Sequence, residues 1–487
     1  MRIDKTRIAL AVSSAMFAGA SIAADEPNVI YVMVDNWGYG DISANGGDVA
    51  TPEIDKVAQE GILFQNYNVQ NQSTPSRSAM HTGRLPIRSG TYKVPIFKGQ
   101  ADGLAPWEYT IAELLSDSGY KTALYGKWHV GSVDGRLPID QGYDDWYGYR
   151  NGSNDAGFTS TKGFDSNVAE VPYVWKGVKG GKPEKVMPFD KGAKRAMDGE
   201  LIDMTIAFMK KSQKENKPFY TYVGLTSFHS PMKASKAFDG KSGKGIYQDT
   251  QLEVDYQIGR LVDALRESGE LDNTILVIAG DNASGNALSR AEGGVGILDT
   301  EREPVGSNKP WRGGLSTAYE GGMRTPAMIR YGDKIKGGQV TNEIISDLDW
   351  FSTLAHMTGN EGEIPTDRPI DSINQADFML GVQDKSSREY VLTYVNKELF
   401  AVKWRDFKMH FKTADETHGL IKEYTFPLVY DLSEDPEETN EIWANEGFQH
   451  SWLTEPVGRI ILEKAISMKK YPNIETGQDF KGYIEAK

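Results

Sequence analysis

Val29-Ile-Tyr-Val-Met-Val34 runs without a break into Asp35-Asn36-Trp-Gly-Tyr-Gly-Asp41, and the fold reading starts from that junction. A short apolar run between Pro27 and a Gly-rich turn matches a buried strand whose tip is loaded with oxygen donors. Working outward, Thr51-Pro52 opens a helix that Gly61 follows. Thr110 and Glu113 form a capping box for a helix over 111–118, which Gly119 ends. Residues 121–125 are then a strand with Gly126-Lys127-Trp-His129 at its tip. Residues 199–212 read as helix, and 219–225 as a strand that delivers Phe228-His229-Ser-Pro231. Val254, Ile258, Leu261, Val262 and Leu265 share one helical face capped by Gly269, and the strand 274–279 ends in Gly280-Asp281-Asn282.

This alternation predicts an α/β fold with a large, mostly parallel sheet flanked by helices. In such sheets ligands collect outside the carboxyl ends of the strands, where four tips here carry polar residues. Residues 130–198 and 283–312 are rich in Gly, Ser, Asn and Asp and read as long functional loops or small insertions. Trp146, Tyr147, Tyr149, Tyr173 and Trp175 are expected to anchor those loops rather than to stack on sugar rings. A late amphipathic helix is expected over 347–357, closed by Gly359. From residue 386 the pattern changes to short β-rich pieces at 390–395, 399–404, 407–411 and 428–432, with a helix near 455–468. The expected organisation is a signal peptide over 1–24, a catalytic domain over 25–385, and a C-terminal antiparallel-sheet subdomain over 386–487.

Arg2, Lys5 and Arg7 precede an apolar stretch of small residues ending at Ala23-Ala24, the pattern of a secretory signal, so a periplasmic or secreted location is expected. No later run is long enough to span a membrane, and no membrane association is expected. A formal charge of −14 argues against nucleic acid as a partner. The absence of cysteine rules out disulfides and thiolate metal sites.

The chemistry centres on Asn71-Gln-Ser-Thr-Pro-Ser-Arg-Ser-Ala-Met-His-Thr-Gly83. Pro75 suits the first position of a helix and Gly83 its far end, which puts Ser73 at the helix mouth. Free N–H groups there favour an anion, and Arg77 offers a planar fork to hold one bidentately. Asp35, Asn36, Asp281 and Asn282 are hard oxygen donors that suit Ca²⁺ or Mg²⁺, with calcium the more tolerant of the mixed set. Such an ion beside Ser73, with Arg77 and Lys127, neutralises the oxygens of an anionic ester. His129 and His229 are the expected proton carriers.

Ser-x-Pro-Ser-Arg-x-x-x-x-Thr-Gly at 73–83 resembles the signature of the type I, formylglycine-dependent sulfatases, of the Ser type. Asp35-Asn36, Gly126-Lys-Trp-His-x-Gly131, His229, Asp281-Asn282, Glu320-Gly-Gly-x-Arg-x-Pro326 and Tyr430-Asp-Leu-x-x-Asp-Pro-x-Glu438 extend the resemblance over residues 27–442. It implies an alkaline-phosphatase-like fold, one Ca²⁺ ion at Asp35, Asn36, Asp281 and Asn282, and hydrolysis of sulfate esters. By position it makes Ser73 the residue that a formylglycine-generating maturation enzyme oxidises, with Arg77 in support. Lys127 would bind sulfate, His129 would help regenerate the aldehyde, and His229 would face the leaving oxygen.

Leu315 departs from the family pattern, standing where many members place a sulfate-binding Lys, so either Lys309 or Arg312 is the expected replacement ligand or His229 alone handles the leaving group. The expected substrate is a sulfated carbohydrate or an aryl sulfate ester. A phosphodiester or phosphonate monoester hydrolase of the same superfamily, and a glycan-binding protein with Ser73 unmodified, are the alternatives. Sugar identity, exo or endo action and oligomeric state lie beyond the sequence.

Overall fold

The computed structural model describes residues 26–95, 99–285, 306–416 and 419–483; the signal expected over 1–24 and most of the loop expected over 283–312 lie outside them. A ten-stranded sheet runs in the order Gln339–Thr341, Ile62–Phe64, Ala327–Arg330, Thr274–Gly280, Asn28–Val34, Phe219–Gly224, Lys121–Lys127, Asp145–Tyr149, Tyr173–Val178, Glu184–Pro188. The strands from Thr274–Gly280 to Asp145–Tyr149 are mutually parallel. Antiparallel pairs occur only toward the two flanks.

Alternation along Asn28–Val34 explains the layering. Val29, Tyr31 and Met33 enter one core with Leu114, Trp350 and Phe351, while Ile30, Val32 and Val34 enter another with Ile54, Met197 and Ile258. A strand buried on both faces needs helices on both sides, and it has them. The capping box forms as expected: Thr110 Oγ1 accepts from Glu113 N at 3.1 Å, and Thr110 N donates to Glu113 Oε2 at 2.8 Å.

Three expectations need correction. Residues 130–198 are not simply loops, since they supply three strands and the start of the helix Lys191–Lys214, capped by the Asp190 carboxylate. Trp146, Tyr147 and Tyr149 are accordingly buried in the sheet, Trp146 in one core and both tyrosines in the other. Gly and Asp within this aromatic strand obscure its period in the sequence. The helix predicted at 75–82 begins at Ser73, so Pro75 is its third residue, where the first-turn N–H groups are still unpartnered and a proline is tolerated.

A separate antiparallel sheet follows, made of Tyr390–Val395, Glu398–Trp404, Phe407–Thr413 and Lys422–Asp431, with the helix Thr454–Lys470 after it. Leu392, Val402, Met409 and Val429 of this sheet share a core with Leu85, Leu348 and Ala79. Ala79 lies on the Ser73 helix, so the C-terminal sheet packs against that helix.

Candidate active site

Four adjacent parallel strands bring their tips to one edge. Asp281 and Asn282 follow Gly280, Asp35 and Asn36 follow Val34, Lys127 ends its own strand, and the segment from Leu225 to His229 leaves the strand between them. The mouth of the Ser73 helix meets this edge. Ser73 Oγ donates to Asn282 Oδ1 at 2.8 Å, stands 3.4 Å from Asp35 Oδ1, and accepts from Lys127 Nζ at 3.1 Å.

Lys127 is fully buried, with Nζ 2.7 Å from Asp35 Oδ2 and 3.9 Å from Asp281 Oδ2. Arg77 is also fully buried and gives its fork to Asp281 Oδ2, at 2.8 Å from Nη2 and 3.2 Å from Nε, and its other amino group to Lys127 O and Tyr222 OH. The bidentate grip expected for a bound anion is therefore taken by a carboxylate of the protein. Arg77 positions the strand tips rather than offering a free fork.

Burial pushes Asp35 upward, but Lys127, His229 and Arg77 outweigh it and hold the carboxyl well below the usual range. Burial and the neighbouring Asp35 push Asp281 up against Arg77 and Lys127. Burial, with Lys127 and Arg77 adding to it, pushes the imidazole of His129 well below its ordinary value. His129 is buried, and its Nδ1 has no hydrogen-bond partner. His229 stands half-buried at the rim, with Nδ1 2.9 Å from Ser230 O.

Asn36 completes the oxygen-rich corner from a left-handed backbone (φ 56°), its N donating to Asp281 Oδ1 at 3.1 Å and its Oδ1 accepting from Asn282 Nδ2 at 2.6 Å. The donor set fits a hard divalent cation: Asp35 and Asn282 put oxygens within reach of Ser73 Oγ, and Asn36 and Asp281 are hydrogen-bonded to each other and, through Asn36, to Asn282. Among the described residues no three His, Cys, Asp or Glu side chains are grouped to hold a metal, so such an ion depends on the two amides. Asp35 and Asp281 are already matched in charge by Lys127 and Arg77. A divalent ion would thus turn the corner net positive, which suits an anionic ester.

Arg312 stands apart. It donates to Glu438 O at 2.9 Å and Asp415 Oδ1 at 3.3 Å and lies over the Tyr319 ring, sharing no hydrogen bond or ion pair with the Ser73 cluster. Leu315 is close to the nucleophile through its neighbour, because Ser316 N donates to Asn71 O at 2.9 Å and Ser316 Oγ accepts from Gln72. Sequence reasoning missed Ser153, whose Oγ donates to Asp35 Oδ2 at 3.1 Å, and Tyr149, whose hydroxyl is 2.7 Å from Ser153 Oγ. Ser153 opens the short helix Ser153–Ser160 beyond the strand Asp145–Tyr149, in a stretch with no apolar period to mark it.

The fold is shared, at TM-score 0.59 and 17% identity, with the phosphonate monoester hydrolase of Agrobacterium radiobacter. Residues 27–360 match the Sulfatase family, and residues 386–480 match the C-terminal region of aryl-sulfatase. The chain belongs to the sulfatase family of sulfuric ester hydrolases. It is 30% identical to the N-acetylgalactosamine-6-sulfatase of Sus scrofa over 88% of this chain and 84% of that one, and 30% identical to human arylsulfatase A over 87% and 84%. The solved structure of PsFucS1 sulfatase from Pseudoalteromonas sp. superposes with TM-score 0.83 at 31% identity, over 93% of this chain and 92% of that one.

Proposed function

We propose that this chain is an exported sulfatase acting on a sulfated carbohydrate, with Ser73 converted to formylglycine and one Ca²⁺ held by Asp35, Asn36, Asp281 and Asn282. The observation that carries the reading is Ser73 Oγ at a helix mouth, within hydrogen-bond reach of both Asn282 Oδ1 and Lys127 Nζ. The basic and apolar character of residues 1–24 supports export. Sugar sulfatases among the relatives support the substrate class. The catalytic domain is taken as residues 25–385 and the antiparallel subdomain as 386–487.

When bound, the ion supplies positive charge beside the ester oxygens. Residue 73, once converted, would supply the attacking hydroxyl. Lys127 donates to the oxygen at position 73 and offsets the charge of the arriving sulfate. Arg77 keeps Asp281 and Tyr222 fixed so that the strand tips hold their register. We assign His129, whose Nδ1 has no hydrogen-bond partner, to the proton at residue 73, and His229, half-buried at the rim, to the departing alcohol oxygen.

The test is a mass spectrum of the Ser73 peptide from protein exported by its native host, followed by assays on aryl sulfate, phosphate and phosphonate esters. A peptide two hydrogens lighter, with sulfate esters preferred, is the expected result. Preference for a phosphonate ester moves the assignment to the sister hydrolases. Unmodified serine with no sulfate ester cleaved leaves a glycan-binding protein.

Leu315 invites a separate prediction. With Arg312 committed to Glu438 and Asp415, we assign the family lysine's role to the exposed Lys309, the alternative being that His229 handles the leaving group alone. Leu315→Lys is expected to leave kcat within about twofold of the parent, while Lys309→Ala raises KM about tenfold, one charged contact's worth. A clear gain in turnover from Leu315→Lys would show that no substitute exists.

A further inference from the structure

We propose that Arg150 and the cavity in front of it form a subsite for an anionic substituent, a sulfate or a carboxylate, on the sugar adjoining the one whose ester is cleaved; this rests on the sulfatase reading above. The strand Asp145–Tyr149 lies parallel beside Lys121–Lys127, so Arg150 emerges at the same carboxyl edge as the catalytic tips. His129 N donates to Arg150 O at 3.0 Å, which ties the two tips together. The cavity, about 90 Å³, is lined by Tyr149, Arg150, Phe158 and Trp175 among others. Tyr149 is the dividing wall, since its hydroxyl bonds the same Ser153 that bonds Asp35. A ligand in this cavity is one side chain away from the reaction centre.

The guanidinium of Arg150 is oriented before any ligand arrives. It lies over the Trp175 ring at 3.6 Å from the centroid, and Nη1 donates to Ser132 O at 3.2 Å. Its Nε is buried and has no partner, although a guanidinium carries five N–H donors. Glu170, which shares the cavity wall, is held by Lys185 at 3.1 Å, and Asp155 on the same wall is already engaged. A positioned, partly desolvated fork with unspent donors selects a planar or tetrahedral oxyanion over a neutral hydroxyl. The space equals about three waters at ~30 Å³ each, enough for one sulfate or carboxylate group.

Protein with Ser73 unmodified is suited to the test, because ligands bind without turnover. Calorimetric titrations compare 4-nitrophenyl sulfate with fucoidan, carrageenan and chondroitin sulfate oligosaccharides, each paired with its form carrying a single sulfate and no other anionic group. The expected result is at least one pair in which the second anionic group tightens binding about tenfold. Arg150→Gln abolishes that preference and leaves 4-nitrophenyl sulfate unaffected, and Arg150→Lys restores part of it by keeping charge without the fork. Equal weakening of both members of every pair in Arg150→Gln, or no preference in the parent protein, overturns the subsite. Failure of 4-nitrophenyl sulfate to bind at all overturns the sulfatase reading instead.

Discussion

Lys127→Ala is expected to lower kcat/KM for a sulfate ester by about a thousandfold, the scale of removing a preorganised charge from a water-excluded site. The same substitution is expected to cost about 3–5 kcal/mol of stability, because Asp35 would keep its burial and lose the ammonium at 2.7 Å. Both effects follow from one geometry: Nζ touches the hydroxyl of Ser73 and neutralises the strand tips that hold it. The thermal transition separates the contributions. Chelator should shift the parent melting temperature only modestly, since Lys127 and Arg77 already match the charge of Asp35 and Asp281. In Lys127→Ala, where Arg77 alone faces two buried carboxylates, the melting temperature should depend more steeply on added Ca²⁺ than in the parent. A variant that keeps kcat/KM within about threefold of the parent removes Lys127 from the reaction.

Glu320→Ala is expected to be the most damaging single change to folding, again about 3–5 kcal/mol or more. Glu320 is fully buried and accepts from Lys403 and Lys408 at 2.8 Å each and from Arg324. Lys403 also reaches Asn66 and Asn68, and Glu438 takes Glu320 N at 2.7 Å while holding His410. Lys403, Lys408 and His410 belong to the antiparallel sheet, so this one carboxylate ties that sheet to the short helix Glu320–Met323, which leads into the strand Ala327–Arg330. Its loss strands three cations away from water. Burial pushes Glu320 up, but Lys403, Lys408 and Arg324 hold it far below the usual carboxylate range. Its contribution is therefore complete above the unfolded pKa, about 4.3, and fades as pH falls through the lower folded value. Glu320→Gln should flatten that acid limb in a chemical-denaturation series. An unchanged midpoint in Glu320→Ala would mean that the apolar core around Val402 and Val429 alone joins the sheets.

Much of this molecule was legible from the chain because its signals are local. The run ending at Val34, the capping box at Thr110 and Glu113, and the left-handed Gly83 each express a preference that a few neighbouring residues settle. The parallel order followed from alternation, and the polar tips followed from where such sheets place their carboxyl ends. Those readings named Asp35, Asn36, Lys127, Asp281, Asn282 and Ser73 before any coordinate, and the fold brings all six together.

Tertiary structure decided what depends on partners distant in sequence. Arg77 meets Asp281, Arg312 meets Glu438 and Asp415, and Lys403 meets Glu320, pairings separated by 83 to 204 residues that no local pattern encodes. The aromatic strand Asp145–Tyr149 joined the sheet because pairing with Lys121–Lys127 satisfies its backbone, although its own sequence reads as loop. Sequence determined which residues carry charge and where the chain turns. Only the folded chain determined which charges spend themselves on one another and which, like Arg150, keep donors to spare, because desolvation and pairing are properties of the packed site.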